Sequence, residues 1–255
     1  MKTLIPKLLT RKQSGFTRLE LLVVLVALLF LAIVVFPALG KSREGGHEAT
    51  CLNHLRQLGI ALMMYSEENR DLVPEEGNTV LPINDASNVD AWYNLAIHPA
   101  FTRLRDLYNS SATIPMPQDG AAFSCPSAPQ PTFTPSLAKA YFMYGMNARI
   151  CVNKSTRANG VVNTKLSSIP MPDDTILMGE VDGNFPTAGA AQSNLVGQYG
   201  VARHQGLGFF TMADGHVRSA KTNEFLRTSA ESSSAPTEWA TPRKMYWYPT
   251  STTPN

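Results

Sequence analysis

From Leu21 to Phe36 the chain carries no polar side chain. At a rise of about 1.5 Å per residue this run spans about 24 Å as a helix, and Leu19 with residues 37–39 lengthens it toward the ~30 Å of a bilayer core. Downstream the pattern changes from continuous to periodic. In "HEATCLNHLRQLGIALMMYSEENRD" the apolar residues Leu52, Leu55, Leu58, Leu62 and Tyr65 fall at steps of three and four, one face of an amphipathic helix. His54, Arg56, Gln57, Glu67 and Glu68 take the other positions. Gly45-Gly46 weakens the join between the two patterns and invites a kink. Asn69-Arg70-Asp71 followed by Pro74 closes the helix. A rod from 16 to 69 has a length of about 80 Å.

After residue 71 the helical period disappears. Residues 71–135 are rich in proline, as in "TIPMPQDG" and "CPSAPQPTFTP", and read as irregular. "AWYNLAIHPAFTRLRDLY" has room for a turn or two of helix, with Trp92, Tyr93, Leu95 and Leu104 as packing residues. Residues 141–147 alternate as a short strand, and 174–183 as a strand ended by a turn. In "GLGFFTMADGHVRSA" two strand-like runs flank Asp214-Gly215, which predicts a hairpin with strands at 207–213 and 216–220 and positive φ at both turn residues. From Thr228 onward Ser, Thr and Pro dominate, so 229–255 reads as a tail, mostly loop. Trp239, Tyr246, Trp247 and Tyr248 are too apolar for a solvated tail and call for a docking surface on the sheet or on a neighbouring subunit.

Composition narrows the classes. The chain has 255 residues, 16% of them charged, with a formal net charge of +2. That balance suggests neither a nucleic-acid binder nor an enzyme for acidic substrates. Lys2, Lys7, Arg11, Lys12 and Arg18 all precede or open the apolar run, which places the N-terminus in the cytoplasm and exports the rest. Three cysteines then lie in a disulfide-permitting compartment, and at most one pair forms. Cys125 with Cys151 is the pairing favoured here, clipping the proline-rich stretch, and Cys51 is the rival partner for Cys125.

Three readings fit the N-terminus. One is a cleaved secretory signal with Ala38-Leu39-Gly40 as its processing site, and another is a plain membrane anchor. The third rests on "KQSGFTRLELLVVLVALLF", a basic leader ending in Gly, then Phe-Thr, two further residues, Glu and a long apolar helix. This stretch resembles the signature of type IV prepilins and type II secretion pseudopilins. The resemblance implies cleavage by a prepilin peptidase between Gly15 and Phe16, and N-methylation of Phe16. It also implies that Glu20 sets the assembly register by meeting the new amine of a neighbouring subunit. A bare carboxylate in such a bundle costs a few kcal/mol unless paired or hydrated. Hydration of Glu20 at an interface is the alternative. Pro37 falls where many members of the family bend their helix. Arg18 departs from the pattern, which has an apolar residue there, and has the choice of reaching headgroups or pairing with Glu20.

Two further patches carry the resemblance. "CLNHLRQLGIALMMYSEENRDLVP" and "FSCPS" are similar to one branch of the pseudopilin-like proteins. His204 precedes Asp214-Gly215 by nine intervening residues, which resembles the H-X9-DG motif of that branch. A structural role is the reading preferred for His204, Asp214 and Gly215: a turn at Asp214-Gly215 and a hydrogen bond from His204 across the sheet. A cation site drawn from Asp214, Glu180 or Asp182 with His204 or His216 is the other. Some pseudopilins bind calcium in a C-terminal loop, but no compact acidic loop of the D-x-D-x-D kind occurs here, nor a spacing that announces zinc. No other cofactor is indicated. Enzyme motifs are missing too: no Gly-x-Ser-x-Gly elbow, phosphate-binding loop or HExxH helix.

The expectation is therefore an α+β chain: a long N-terminal helix, membrane-spanning in its first half, packed on a small antiparallel β-sheet with long irregular loops. Residues 1–15 form a cytoplasmic leader, 16–70 the helix (transmembrane to about 39), 71–228 a periplasmic domain and 229–255 the tail. The resemblance implies a non-enzymatic structural subunit of a pseudopilus or pilus-like fibre, held in the inner membrane by one pass. Its partners would be other pilin or pseudopilin subunits, prepilin peptidase, an inner-membrane assembly platform and membrane lipid, with no nucleic acid. A membrane-anchored or secreted periplasmic enzyme or ligand-binding domain is the alternative.

Overall fold

The computed structural model describes residues 17–78, 81–95, 104, 106, 116–117, 121–151, 164–184 and 193–253, excepting the side chains of 34–42 and 194. The chain divides into two compact units, Met1–Arg43 and Glu44–Asn255. One helix, α1 (Arg18–Glu68), contributes to both.

In the first unit α1 begins at a reciprocal cap. The Glu20 carboxylate accepts from the Thr17 amide (2.8 Å) and the Thr17 hydroxyl (2.9 Å), while the Glu20 amide donates back to Thr17 Oγ1 (3.3 Å). Thr17-x-x-Glu20 is a capping box, which satisfies amides that a helix start otherwise leaves unpaired. Leu19 and, between Leu21 and Ile33, every residue except Ala27 and Ala32 are large, apolar and exposed. Among the described residues, no helix is long and apolar enough to cross a membrane. This overturns the membrane-spanning first half of the helix, and with it the single-pass inner-membrane placement. The segment is not purely apolar where it begins, since Arg18 and Glu20 flank Leu19, and a charged side chain in hydrocarbon costs a few kcal/mol.

In the second unit the helix is amphipathic, as its period predicts. Cys51, Leu55, Leu58, Ala61 and Leu62 are buried. His54, placed on the polar face by the sequence pattern, is buried instead, and its Nδ1 lies 2.7 Å from the Ser124 carbonyl. The helix passes through Gly45 and Gly46. It stops where Arg70 (φ 59°) and Asp71 (φ 67°) turn left-handed, so that the Asp71 amide donates to the Ser66 carbonyl (2.7 Å). Ser167 stabilises that turn, donating its hydroxyl and amide to the Asp71 carboxylate and holding its pKa below the usual aspartate value.

The sheet has five strands: β1 (Tyr144–Asn147), β2 (Ile176–Glu180), β3 (Asn194–Leu195), β4 (Leu207–Met212) and β5 (Val217–Lys221). Their spatial order is β3-β1-β2-β4-β5. All pairs are antiparallel except β1 with the two-residue β3, a parallel edge absent from the expectation of a purely antiparallel sheet. β1 and β2 are buried at every position, as strands covered on both faces are. Alternation along β4 shows what covers them. Thr211 donates its hydroxyl to the Leu55 carbonyl (3.1 Å), so it faces α1. Phe210 packs on Phe225 and Trp247, on the opposite face. A side-chain carbon at Gly59 would lie 2.7 Å from Thr211 Cγ2, so glycine lets helix and sheet approach closely here.

The second cover comes from the segment read as a tail. Trp247 and Tyr248 are buried, and residues 222–239 form three short helices, α2 (Thr222–Phe225), α3 (Ser229–Ser232) and α4 (Ala235–Trp239). A buried ion pair organises them. Arg227 Nε donates to Glu238 Oε1 (2.8 Å), and the same carboxylate accepts the amides of Trp247 and Tyr248. Burial pulls the Arg227 guanidinium below its usual pKa, and Glu238 works against that shift. Three donors on one carboxylate offset its desolvation, and removing it strands a buried guanidinium. Glu238→Ala is therefore expected to lower the unfolding free energy by about 3–5 kcal/mol. Urea denaturation followed by tryptophan fluorescence checks this, and a loss below about 1 kcal/mol would mean that the pair is not what docks the segment.

Candidate functional site

His204 and Asp214-Gly215 are not one site; they bracket β4 at its two ends. At the entrance, Gln205 (φ 54°) and Gly206 (φ 87°) both turn left-handed, and His204 and Leu207 exchange two backbone hydrogen bonds of 3.0 Å each. This is a two-residue turn of the primed type, which matches strand twist. At the exit only Gly215 has positive φ (89°), and its amide donates to the Met212 carbonyl (2.9 Å). The Asp214-Gly215 turn thus differs from the expected one: Asp214 stays right-handed, and the strands end at Met212 and begin at Val217. The Asp214 carboxylate accepts from the His216 amide (3.1 Å) and lies 2.6 Å from His216 Nδ1, on the exposed hairpin tip. The nine-residue spacing is the length of β4 with a turn at each end.

His204 itself points inward. It stacks on Phe209 at 4.3 Å between ring centres, and its Nε2 lies 2.7 Å from Glu180 Oε1. Glu180 is fully buried. Its other oxygen accepts the Phe209 amide (3.1 Å), and Arg203 Nη1 lies 4.0 Å from Oε1. Arg203 is fixed in turn by the carbonyls of Met143 and Val181. Against this pair lie Cys51, from α1, and Cys125, from the proline-rich stretch. They are bonded to each other. This corrects the favoured pairing of Cys125 with Cys151; Cys151 is a free, buried thiol, pushed well up in pKa by burial. The Cys51 choice follows from the helix: Cys51 lies one turn before Leu55, on the buried face, directly against loop 121–128. The loop is also held by His54 and by Tyr144, whose hydroxyl lies within hydrogen-bond reach of the Cys51 and Ser124 carbonyls. Burial, then the charge of Glu180, raises the Tyr144 pKa well above the ordinary phenol value, so the hydroxyl keeps its proton. Closing a separation of 74 residues, the bond contributes about 4 kcal/mol in the chain-entropy account.

Cys51, Cys125, Glu180 and His204 offer four ligand-type atoms within 4.8 Å of one another, all buried. Of the acids and histidines named for a cation site, Glu180 and His204 meet here, whereas Asp214 pairs with His216 at the hairpin and Asp182 accepts from the Asn184 amide. The cysteines, absent from that set, complete the cluster. Gly15 and Phe16 lie outside the described residues, and Glu20 occupies the helix cap. No known family model matches the chain, and no curated protein or solved structure is similar to it.

Two glycines separate backbone from packing effects. Gly206→Ala, at positive φ with nothing within 4 Å to clash, is expected to cost about 1–2 kcal/mol. Gly45→Ala, mid-helix and equally open, is expected to gain up to about 1 kcal/mol. Thermal melts of the two variants give opposite shifts; a loss of stability at Gly45 would contradict the helix through that position.

Proposed function

We propose that the chain is a prepilin-like structural subunit, cut after Gly15 by a prepilin peptidase, methylated on Phe16, and assembled with other pilin-like subunits through its N-terminal helix. The observation that carries this reading is the surface of the first helical segment. Leu19 and Leu21 through Ile33 expose large apolar side chains on every side of the helix rather than along one stripe. A helix apolar all round requires covering all round. Each such side chain, fully buried, contributes about 1.5–3 kcal/mol. A bundle of copies of the same helix supplies that cover. An assembly platform is the partner that such fibres require for growth.

Glu20 fits the scheme in two capacities. In the single chain it caps the helix, and the Thr17 amide and then the Thr17 hydroxyl hold its carboxyl below the usual glutamate pKa. In a bundle, the same anion lies four residues along the sequence from Phe16, where cleavage creates an amine on each copy. Pairing with a neighbour's amine fixes the axial offset between helices, because a mismatched offset leaves two desolvated charges apart.

Mass spectrometry of the mature protein tests the cleavage: a chain beginning at methylated Phe16 is expected, and a start after Gly40 supports a secreted enzyme or ligand-binding domain instead. Two substitutions separate cap from register. Glu20→Gln keeps a cap-forming amide and removes the charge, and Glu20→Val removes both. Both are expected to be cleaved normally and to abolish ordered fibres; fibres from Glu20→Gln would reduce Glu20 to a cap. The pH dependence follows the same sign. The depressed pKa means the contribution of Glu20 is complete above the ordinary glutamate range and is lost as pH falls through the lower folded value. Assembly followed by light scattering is expected to fail on acidification through that range.

A further inference from the structure

The buried cluster beneath α1 has a ligand set that a disulfide alone does not require. We propose that the chain in its reduced form binds one zinc ion through the thiolates of Cys51 and Cys125, Nε2 of His204 and Oε1 of Glu180. The position then holds either a disulfide or a metal, and never both.

The donor set decides the metal. Two sulfurs, one imidazole nitrogen and one carboxylate oxygen suit zinc, and calcium or magnesium would demand oxygen. One separation already matches a tetrahedron and a second is near it. Zinc bond lengths of about 2.0–2.3 Å place neighbouring ligand atoms roughly 3.3–3.8 Å apart. Cys125 Sγ already lies 3.6 Å from Glu180 Oε1 and 4.0 Å from His204 Nε2. Two adjustments remain: the sulfurs must part once their bond is absent, and the 2.7 Å contact of His204 with Glu180 must open by about half an ångström.

The surroundings are those of a closed, structural site. The ligands come from four separate segments: α1, the 121–128 loop, the end of β2 and the turn before β4. All four are buried. The Phe209 amide occupies Glu180 Oε2 and leaves Oε1 facing the sulfurs, and the Phe209 ring fixes the plane of His204. His204 is hydrogen-bonded through Nε2 alone, and its Nδ1 is buried without a partner, so its one polar contact directs Nε2 into the cluster. Charge also balances. Two thiolates and one carboxylate exceed the dication by one negative charge, and the Arg203 guanidinium, 4.0 Å from Glu180, supplies one positive charge.

The interconversion balances with a dithiol as reductant. It gives two electrons and two protons to the Cys51–Cys125 bond, producing two thiols and its own cyclic disulfide. Zinc then displaces both thiol protons to solvent, and the His204 proton moves from Nε2 to Nδ1. Two protons released per zinc make affinity rise with pH.

The test uses the full chain, produced in a reducing cytosol and handled without oxygen. Cobalt(II) serves as the spectroscopic probe and zinc as the competitor. Expected are one cobalt per chain, the visible absorption of a four-coordinate ion with a thiolate charge-transfer band, and displacement by one equivalent of zinc. The disulfide form of the same chain is expected to take up none. His204→Gln is expected to weaken binding at least tenfold and Glu180→Gln to weaken it too, with near-ultraviolet circular dichroism reporting the fold. Cys151→Ser is expected to change nothing. Equal uptake by the disulfide form, full binding by His204→Gln, or loss of the site with Cys151→Ser would overturn the proposal. So would a reduced chain that zinc neither binds nor restores to the native spectrum.

Discussion

Glu180 is a carboxylate with no exposed surface, and four parts of the second unit are arranged by how its two oxygens are used. One oxygen takes the Phe209 amide and so sets the start of β4. The other takes His204 and lies beside Cys125 and Arg203. A buried anion of this kind is tolerable only when every lone-pair direction meets a donor or a cation. That requirement holds the turn before β4, the 121–128 loop and the end of β2 against one another. Cys51 then fastens α1 to the same point. The amphipathic half of the helix, its Leu55–Leu62 stripe and its close approach at Gly59 all depend on that junction being made.

The contrast between the two ends of α1 is the basis of the functional account. Beyond Glu44 the helix has an apolar face and a sheet to cover it. Between Leu21 and Ile33 the large apolar side chains are exposed on all sides of the helix. The C-terminal segment meets the opposite face of the sheet through Phe225 and Trp247, so the second unit closes its own core on both sides. Leu19, Leu21–Val26 and Leu28–Leu31 of the first unit stay exposed, as do the scattered Ile60, Val89 and Leu226 of the second.

Much of the second unit is legible in local patterns. The three-and-four spacing from Leu55 to Leu62 marks the buried helical face, and the runs around Asp214-Gly215 mark β4 and β5. What is not legible is long-range. Nothing near Arg227 announces a partner at Glu238, or that both would be buried under Trp247, so a Ser/Thr/Pro-rich composition reads as a tail. The cysteine pairing turns on a loop folding back over residue 51, which no spacing reveals. Two local signals were available and carry real chemistry: Thr17-x-x-Glu20 as a capping box, and Gln205-Gly206 as a primed turn lacking its usual Asn or Asp. The membrane span fails for a different reason. Continuous apolar character over 19–39 registers as a span by itself, whereas Arg18 and Glu20 stand where it begins and no described helix is long and apolar enough to cross a membrane.

The central claim is that the first helical segment is made to be covered by copies of itself. Sedimentation velocity of the full chain beginning at Phe16, compared with its Leu25→Glu variant, tests it most directly. The account predicts large assemblies for the parent and a folded monomer for the variant, since one buried charge in an apolar bundle costs more than the packing it leaves intact. A parent chain that stays monomeric at concentrations where its helix remains folded would contradict it.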